Sequence, residues 1–223
     1  MSNLGNRLSA VVKILKKLEN NTLFADIGSD HAYLAIEVVR LSLATRAIAS
    51  DINELPLLKG KENASAQGVD IEFIKSDGFD AFDGRAVTSA AICGMGGELI
   101  ARIIDRSEIA RRATLILQPM SAQEELRRYL WDNGFEIVEE IFVSEAGKHY
   151  TVMQVEFTNK SSDYSYLDLY LGKTRKESEE FSQYCKRICE SALKRRLGLV
   201  ARKESTDDID RLIAFCQTQM QSF

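Results

Sequence analysis

Residues 4–18 place Leu4, Leu8, Val11, Val12, Leu15 and Leu18 at helical spacing, with Arg7, Lys13, Lys16 and Lys17 on the other side. That spacing predicts an amphipathic helix with a basic outer face. The period then changes. Short apolar runs at 23–27, 46–50, 71–75, 87–93 and 113–118 read as buried strands. Segments 31–43, 54–67, 97–106 and 121–132 read as helices between or after them. Strands alternating with helices of this length imply βαβ units and a parallel sheet. The ending differs: 135–143 and 149–157 are strand-like with no helix between them. They are expected to pair as an antiparallel hairpin at one edge, giving seven strands with an antiparallel last strand.

After Asn159-Lys160-Ser161-Ser162 the pattern changes again. Tyr164, Leu167, Leu171, Thr174, Ser178, Phe181, Cys185, Ile188 and Ala192 recur at alternating spacings of three and four. This is a heptad seam with polar members, which predicts one helix of about 34 residues, roughly 50 Å long. A second helix is expected from about Asp207, with Ile209, Leu212, Ile213, Cys216 and Met220 on one face. Gly198 and Ser205-Thr206-Asp207-Asp208 mark the expected turn and N-cap. The predicted organisation is an α/β domain over 1–159 and an antiparallel coiled-coil hairpin over 160–223.

Composition changes this picture little. The chain has 223 residues, 45% of them hydrophobic, enough for one α/β domain and a modest extension. No apolar run approaches the roughly 20 residues that span a bilayer, and no signal-peptide core opens the chain. Four cysteines (Cys93, Cys185, Cys189, Cys216) and two histidines show no metal-ligand spacing. A cytoplasmic, reduced protein is expected, monomeric, with no metal and no membrane association. Charge matters more. A net of −4 argues against a uniformly basic nucleic-acid binder. Yet within 186–203 Lys186, Arg187, Lys194, Arg195, Arg196, Arg202 and Lys203 stand against Glu190 alone. That stretch suits RNA phosphates, with a plain solvated helix face as the alternative.

The candidate chemistry lies where strands end. Leu23-Phe24-Ala25-Asp26-Ile27-Gly28-Ser29-Asp30-His31 reads as a strand, a turn and a helix start, and Ala47-Ile48-Ala49-Ser50-Asp51 as a strand ending in a carboxylate. In doubly wound sheets ligands bind at the carboxyl ends of the strands, and Asp51 is placed to accept both hydroxyls of a ribose. A dinucleotide loop wants three glycines; here Gly28 stands alone between Asp26 and Asp30. Carboxylates would repel a pyrophosphate and suit a cofactor with a cationic amino-acid end, such as S-adenosylmethionine. Seven strands with an antiparallel last strand is also the arrangement of class I methyltransferases. In that architecture Ser76-Asp77-Gly78 would lie over the cofactor's adenine, with Asp77 accepting from its amine and Gly78 letting the backbone close in. Cys93-Gly94-Met95-Gly96-Gly97 would face the transferred methyl. An acid or amide followed by two prolines and an aromatic, usual for exocyclic-amine targets, is absent there.

Together these segments closely resemble one family, the bacterial tRNA (adenine(22)-N1)-methyltransferases. The resemblance rests on Asn6-Arg7-Leu8, Ala25-Asp26-Ile27-Gly28-Ser29-Asp30-His31-Ala32-Tyr33-Leu34, Ala49-Ser50-Asp51-Ile52, Ser76-Asp77-Gly78, Cys93-Gly94-Met95-Gly96-Gly97, Leu117-Gln118-Pro119 and Glu145-Ala146-Gly147-Lys148-His149-Tyr150. It covers essentially the whole chain, although Ala35 stands where the family often has proline. The resemblance implies methyl transfer from S-adenosylmethionine to ring nitrogen N1 of a tRNA adenine. It implies that Asp26, Gly28, Ser29, Asp30 and His31 line the methionine end, Asp51 and Ile52 the ribose, and Ser76, Asp77 and Gly78 the adenine. Gly94, Met95 and Gly96 would border the sulfonium. Gln118 and Pro119 would form part of the target pocket, with Tyr33 and Tyr150 stacking on an extruded base. Asp30, held by His31, is the first candidate to steady the cationic product ring, with Asp26 the second. Arg7, and on the tail Lys194, Arg196 and Arg202, are the expected phosphate contacts, Arg195 falling on the seam. Two other readings stand beside this one: a class I enzyme acting on a small molecule or protein, and a tRNA-binding module with a vestigial pocket. The basic tail disfavours the first, and intact acids at Asp26 and Asp51 the second. A Ser29–His31–Asp26 hydrolase is poor, because no nucleophile elbow precedes it.

Overall fold

The computed structural model describes residues 4–221. The first helix, α1 (Asn6–Leu15), precedes β1 (Leu23–Ile27), α2 (Tyr33–Arg40), β2 (Arg46–Asp51), α3 (Glu54–Ala66) and β3 (Glu72–Lys75). Then come β4 (Ser89–Gly96), α4 (Gly97–Asp105), β5 (Thr114–Ser121), α5 (Gln123–Asp132), β6 (Phe135–Glu145) and β7 (Lys148–Phe157). The strands form one seven-stranded sheet in the order β3-β2-β1-β4-β5-β7-β6. The strands from β3 to β5 are parallel, and β7 runs antiparallel to both β5 and β6. This is the class I methyltransferase architecture expected from the alternation. The α2 helix begins two residues later than its periodicity suggested, because His31 and Ala32 take left-handed backbone at φ 63° and 58°.

Each central strand is buried on both faces, so its side chains alternate between two cores. On β1, Leu23, Ala25 and Ile27 join the core under α4 and α5, while Phe24 joins the core under α1 and α2. Asp26 shares Phe24's face. On β5, Leu115 and Leu117 face one way, Ile116 the other. The sheet's reversal of strand order falls between β1 and β4, and the candidate site residues cluster at the carboxyl ends on either side of it.

The C-terminal part corrects the single long helix. Chain 164–202 forms two helices, α6 (Tyr166–Leu171) and α7 (Glu179–Arg202), followed by α8 (Asp207–Gln221). The expected 50 Å rod becomes a 24-residue helix of about 36 Å. Gly172, at φ 75°, ends α6, and a Cβ there would strike the Glu140 carboxylate. A new helix starts where the Ser178 hydroxyl accepts from the Phe181 N–H at 3.1 Å. Thr174 and Ser178, the polar members of the seam, fall in and at the end of the break. Gly198 lies inside α7; the reversal comes at 203–206, after Lys203 takes left-handed backbone at φ 60°. From there α8 folds back along α7, Arg196 pairing with Asp210 at 2.5 Å. Phe181, Tyr184, Cys185 and Ile188 belong to the same apolar cluster as Leu117, Phe142 and Met153 of the sheet. The proximal half of α7 is therefore packed on β6, with Phe142 against Phe181 and Tyr184, ring centroids 4.9 Å away in both cases.

A fully buried ion pair joins these layers. Arg127 of α5 donates from Nε and Nη2 to Glu140 Oε1 of β6 at 3.1 and 2.8 Å, both side chains being 0% exposed. Thr151 of β7 donates to the same oxygen at 3.0 Å, and Arg127 Nη1 reaches the Leu169 carbonyl of α6 at 2.7 Å. Burial works against the guanidinium charge, but Glu140 alongside outweighs it and holds Arg127 above the ordinary arginine range. Removing one partner strands the other charge in the core. Arg127→Ala is therefore expected to cost about 3–5 kcal/mol of unfolding free energy, measured by urea denaturation. Arg127→Met with Glu140→Leu together should recover most of it; equal losses in the single and double variants would show that shape, not stranded charge, sets the cost.

Candidate active site

The loop after β1 is clamped to the end of β2: the Gly28 and Ser29 N–H groups both donate to the Ser50 carbonyl at 2.8 Å. Within it Asp26 is buried, and the Ser29 hydroxyl donates to its Oδ2 at 2.6 Å. Burial pushes the Asp26 carboxyl up to about 6, against the lowering effect of Ser29 and the Ala35 N–H. Among the described residues it forms no ion pair with a cation. Asp30 lies in the open, 74% exposed, its Oδ1 3.3 Å from His31 Nε2. The His31 ring in turn leans on Tyr33 at 5.5 Å, so these three form one chain along the rim. The left-handed His31–Ala32 step is held from α3: Asn63 donates to the His31 carbonyl at 3.0 Å, and Gly60 leaves room for Ala32. Asn63 and Gly60 carried no signal in the sequence, being ordinary members of a helix.

At the end of β2, Asp51 Oδ1 accepts the Asn53 N–H at 2.7 Å, and Ile52 stands exposed beside it. After β3, Ser76 is a structural pin. Its hydroxyl donates to the Gly78 carbonyl at 2.9 Å and accepts from the Ala81 N–H at 3.1 Å. Gly78 is needed for its φ of 60° and for the approach of Ile103, a different reason from the ligand approach expected of it. Asp77 is engaged by Arg106 at 3.2 Å, a neighbour the sequence reading missed.

On β4 the register breaks at Cys93, Met95 and Gly96, with Gly94 at φ 77°. This irregularity turns the strand end towards β1, where a Cβ on Gly28 would meet the Met95 methyl. The Gly94 N–H donates to Gln118 Oε1 at 3.2 Å, and Arg7 Nη1 donates to the same oxygen at 3.1 Å. Gln118 Nε2 is spent on the Pro119 carbonyl at 3.1 Å. Gln118 is thus wholly buried and internally satisfied, a brace for the glycine turn rather than an open wall. Arg7 is likewise committed. Its Nε donates to Glu145 Oε1 at 2.7 Å, its N–H to Glu145 Oε2 at 3.0 Å, and its guanidinium lies 5.1 Å from the Tyr150 ring. Despite its partial burial, Glu145 is held below the usual carboxylate range by Arg7. Tyr150 is 7% exposed with Arg7 over it, so it does not offer the open stacking platform expected of it; Tyr33, 48% exposed, does. Glu145 stood in the motif but was not singled out, because a carboxylate on a hairpin carries no mark of its partner 138 residues away.

On the tail, Arg196 pairs with Asp210, Arg202 with Glu204 at 2.8 Å, and Lys194 is exposed. Arg195 reaches across to Tyr170 of α6 and lies 3.8 Å from Glu124. The expected phosphate contacts at Arg196 and Arg202 are therefore already neutralised within the helical hairpin.

The glycine at 28 has two reasons to be glycine, its φ of 72° and the Met95 methyl. Gly28→Ala is expected to lower stability by about 1–2 kcal/mol from left-handed strain alone. Thermal denaturation of this variant beside Gly28→Ala with Met95→Ala measures it; a larger recovery than strain allows would assign the cost to the Met95 contact.

The profile of the family described as tRNA (adenine(22)-N(1))-methyltransferase, TrmK, matches residues 24–213. The Bacillus subtilis enzyme of that description is 31% identical over 173 residues, 76% of this chain and 71% of its own. Among solved structures, Streptococcus pneumoniae Sp1610, a candidate tRNA (m1A22) methyltransferase in complex with S-adenosyl-L-methionine, superposes with a TM-score of 0.83 at 30% identity. That alignment covers 97% of this chain and 99% of the other. Bacillus subtilis TrmK shares the fold with a TM-score of 0.77 at 24% identity, over 99% and 97% of the two chains. With the match running from β1 into α8, the chain belongs to the tRNA (adenine(22)-N1)-methyltransferase family.

Proposed function

We propose that the crevice at the ends of β1, β2 and β4 receives S-adenosylmethionine and that the neighbouring β4 and β5 ends receive adenine 22 of tRNA. The observation that carries this reading is the buried Asp26–Ser29 pair beside Asp51, with the glycine irregularity of β4 drawn over Gly28. The residues fit the cofactor by their chemistry. Asp26, buried and unpaired with a cation, suits the ammonium; the second oxygen of Asp51 suits a ribose hydroxyl; Asp77 suits the adenine amine. Bound there, S-adenosylmethionine supplies an electrophilic methyl group.

The chain's own residues have little proton chemistry to do. Adenine N1 carries an in-plane lone pair at neutral pH, so no base is required. The work is orientation, exclusion of water and charge. Gly94 and Met95 shape the contact surface, and Gln118 with Arg7 fixes that turn. Tyr33 offers a face to an extruded base. Asp30, steered by His31, supplies negative charge as the ring becomes cationic. Residues 1–159 form the catalytic part and 160–223 help hold the tRNA body, with Lys194 and Lys203 exposed, unpaired cations of the distal tail among the described residues. The reading places the reaction in the cytoplasm, with tRNA as partner; no helix among the described residues is long and apolar enough to cross a membrane.

The direct test is incubation with an unmodified tRNA transcript and methyl-labelled cofactor, followed by mapping of the product. Methyl at N1 of adenine 22 is expected; methyl elsewhere, or none, overturns the reading. The raised Asp26 pKa gives a pH signature. In the free protein the fold disfavours the ionised form, so Asp26 contributes most to stability at low pH, and this fades as pH rises from about 4 to about 6. A cationic ligand favours the ionised form. Cofactor affinity is therefore expected to rise with pH through about 6 and level off above it. Calorimetry should show that rise in the wild type and a weak, flat profile in Asp26→Asn. Separately, Asp30→Asn is expected to slow single-turnover methylation while leaving cofactor affinity within about twofold; an unchanged rate would assign the charge stabilisation to another acid.

A further inference from the structure

The proximal part of α7 carries two cations that the helical hairpin does not neutralise, and they face a cavity. A cleft of about 320 Å³ lies between α7, the end of β5 and the β6–β7 turn. Gly147 of the turn, Lys148, His149 and Tyr150 at the start of β7, and Gln183, Lys186 and Arg187 of α7 line it, with Met120 near the end of β5 and Glu190 the only acid among the lining residues. Its size falls at the lower end for a ligand site. Two of its lining residues, Met120 and Tyr150, touch the Arg7–Gln118 brace at the β4 and β5 ends. Met120 Sδ lies 3.3 Å from Arg7 Nη1 and 3.7 Å from Gln118 Nε2, and Tyr150 carries Arg7 on its ring.

Arg187 is the informative member. Its guanidinium lies 4.8 Å from the Tyr184 ring, so its plane is held by packing. Its Nε and Nη2 are buried and have no hydrogen-bond partner among the described residues. Buried donors on a permanent cation call for an acceptor. Glu190 and Glu179 do not provide one; neither forms an ion pair with it among the described residues. Lys186 and Lys148 add positive charge to the same cleft. This is unlike the distal tail, where Arg196 and Arg202 each hold an acid.

We propose that this cleft binds a backbone phosphate of the tRNA next to the target nucleotide, gripped by Arg187 with Lys186 and Lys148. The proposal rests on the functional reading above and deepens it. A planar guanidinium with two free N–H groups matches a phosphate's two non-bridging oxygens. The grip lies beside the methyl-transfer surface rather than at the tip of the hairpin, so it fixes the strand at the point where a base must leave the stack.

The test uses the full chain, unmodified tRNA and a tRNA carrying one neutral methylphosphonate linkage beside adenine 22. Lys186→Ala with Arg187→Gln, a change that keeps Arg187's stem over Tyr184, is expected to raise the KM for tRNA about tenfold. The log–log salt slope of tRNA binding should fall by about 0.7–0.9 for the one lost phosphate contact. Cofactor affinity by calorimetry should stay unchanged, which also reports that the variant is folded. In the wild type the neutral linkage should cost a similar factor in KM, and in the variant no further loss should follow. An unaltered salt slope, or a methylphosphonate penalty equally large in wild type and variant, overturns the cleft as the phosphate site. If the wild type does not methylate adenine 22 at all, the functional reading fails, an outcome distinct from loss of the cleft. Lys194→Ala serves as the distal comparison; a larger slope change there than in the double variant would return the grip to the tail.

Discussion

The buried Arg127–Glu140 pair sets the geometry of everything past β5. Two opposite charges at 0% exposure are held by four hydrogen bonds gathered around them, although Glu140 Oε2 has no partner among the described residues. Glu140 Oε1 takes three donors from α5 and β7, and Arg127 spends its remaining arm on the α6 backbone. That last bond fixes where α6 ends. The chain must then pass the Glu140 carboxylate, and only a glycine fits, at Gly172. The six residues before Ser178 re-aim the chain so that α7 starts over Phe142 and runs past the β6–β7 turn. The helical extension is thus attached to the sheet by a buried charge and shares its apolar core. It brings Lys186 and Arg187 to the rim of the site.

The site itself is built by mutual bracing of strand ends. Parallel strands leave their last carbonyls and N–H groups together at one edge, and here those groups are tied pairwise: β1 to β2 through Ser50, β4 to β5 through Gln118. Arg7 reaches in from α1 and holds Gln118, Glu145 and Tyr150 at once. A cation that satisfies three partners at the protein's own surface has little left for RNA. Its value is that it ties the β6–β7 turn to the end of β5. The carboxylates show the opposite arrangement. Among the described residues Asp26, Asp30 and Asp51 form no ion pair with arginine or lysine, which suits a cationic cofactor.

Charge neutralisation also separates cations that a count treats alike. Of the seven basic residues in 186–203, Arg195, Arg196 and Arg202 already stand beside an acid of the same chain at the surface. Arg196 stabilises the α7–α8 reversal, and Arg195 fastens α7 to α6. The net positive balance of the tail is real, but its unpaired part is split: Lys186 and Arg187 lie beside the β6–β7 turn, and Lys194 and Lys203 lie on the distal tail.

The sequence by itself determined the sheet and the positions of its functional loops. Alternation of apolar runs with helical periods is dictated by burial on both faces, and strand ends are punctuated by residues such as Gly28, Asp51 and Gly94 whose chemistry is local. The motif acids were legible for the same reason. What only the tertiary structure decided was long-range pairing. Periodicity reports which face of a segment is buried, not whether the backbone is continuous, so the seam from Tyr164 to Ala192 hid the break at Gly172. Nothing local at Arg7 announces Glu145, nothing at Asp77 announces Arg106, and nothing at Arg187 distinguishes it from Arg196. Which charges remain free for a partner depends on contacts between residues far apart in the chain, and those exist only once the two layers have packed.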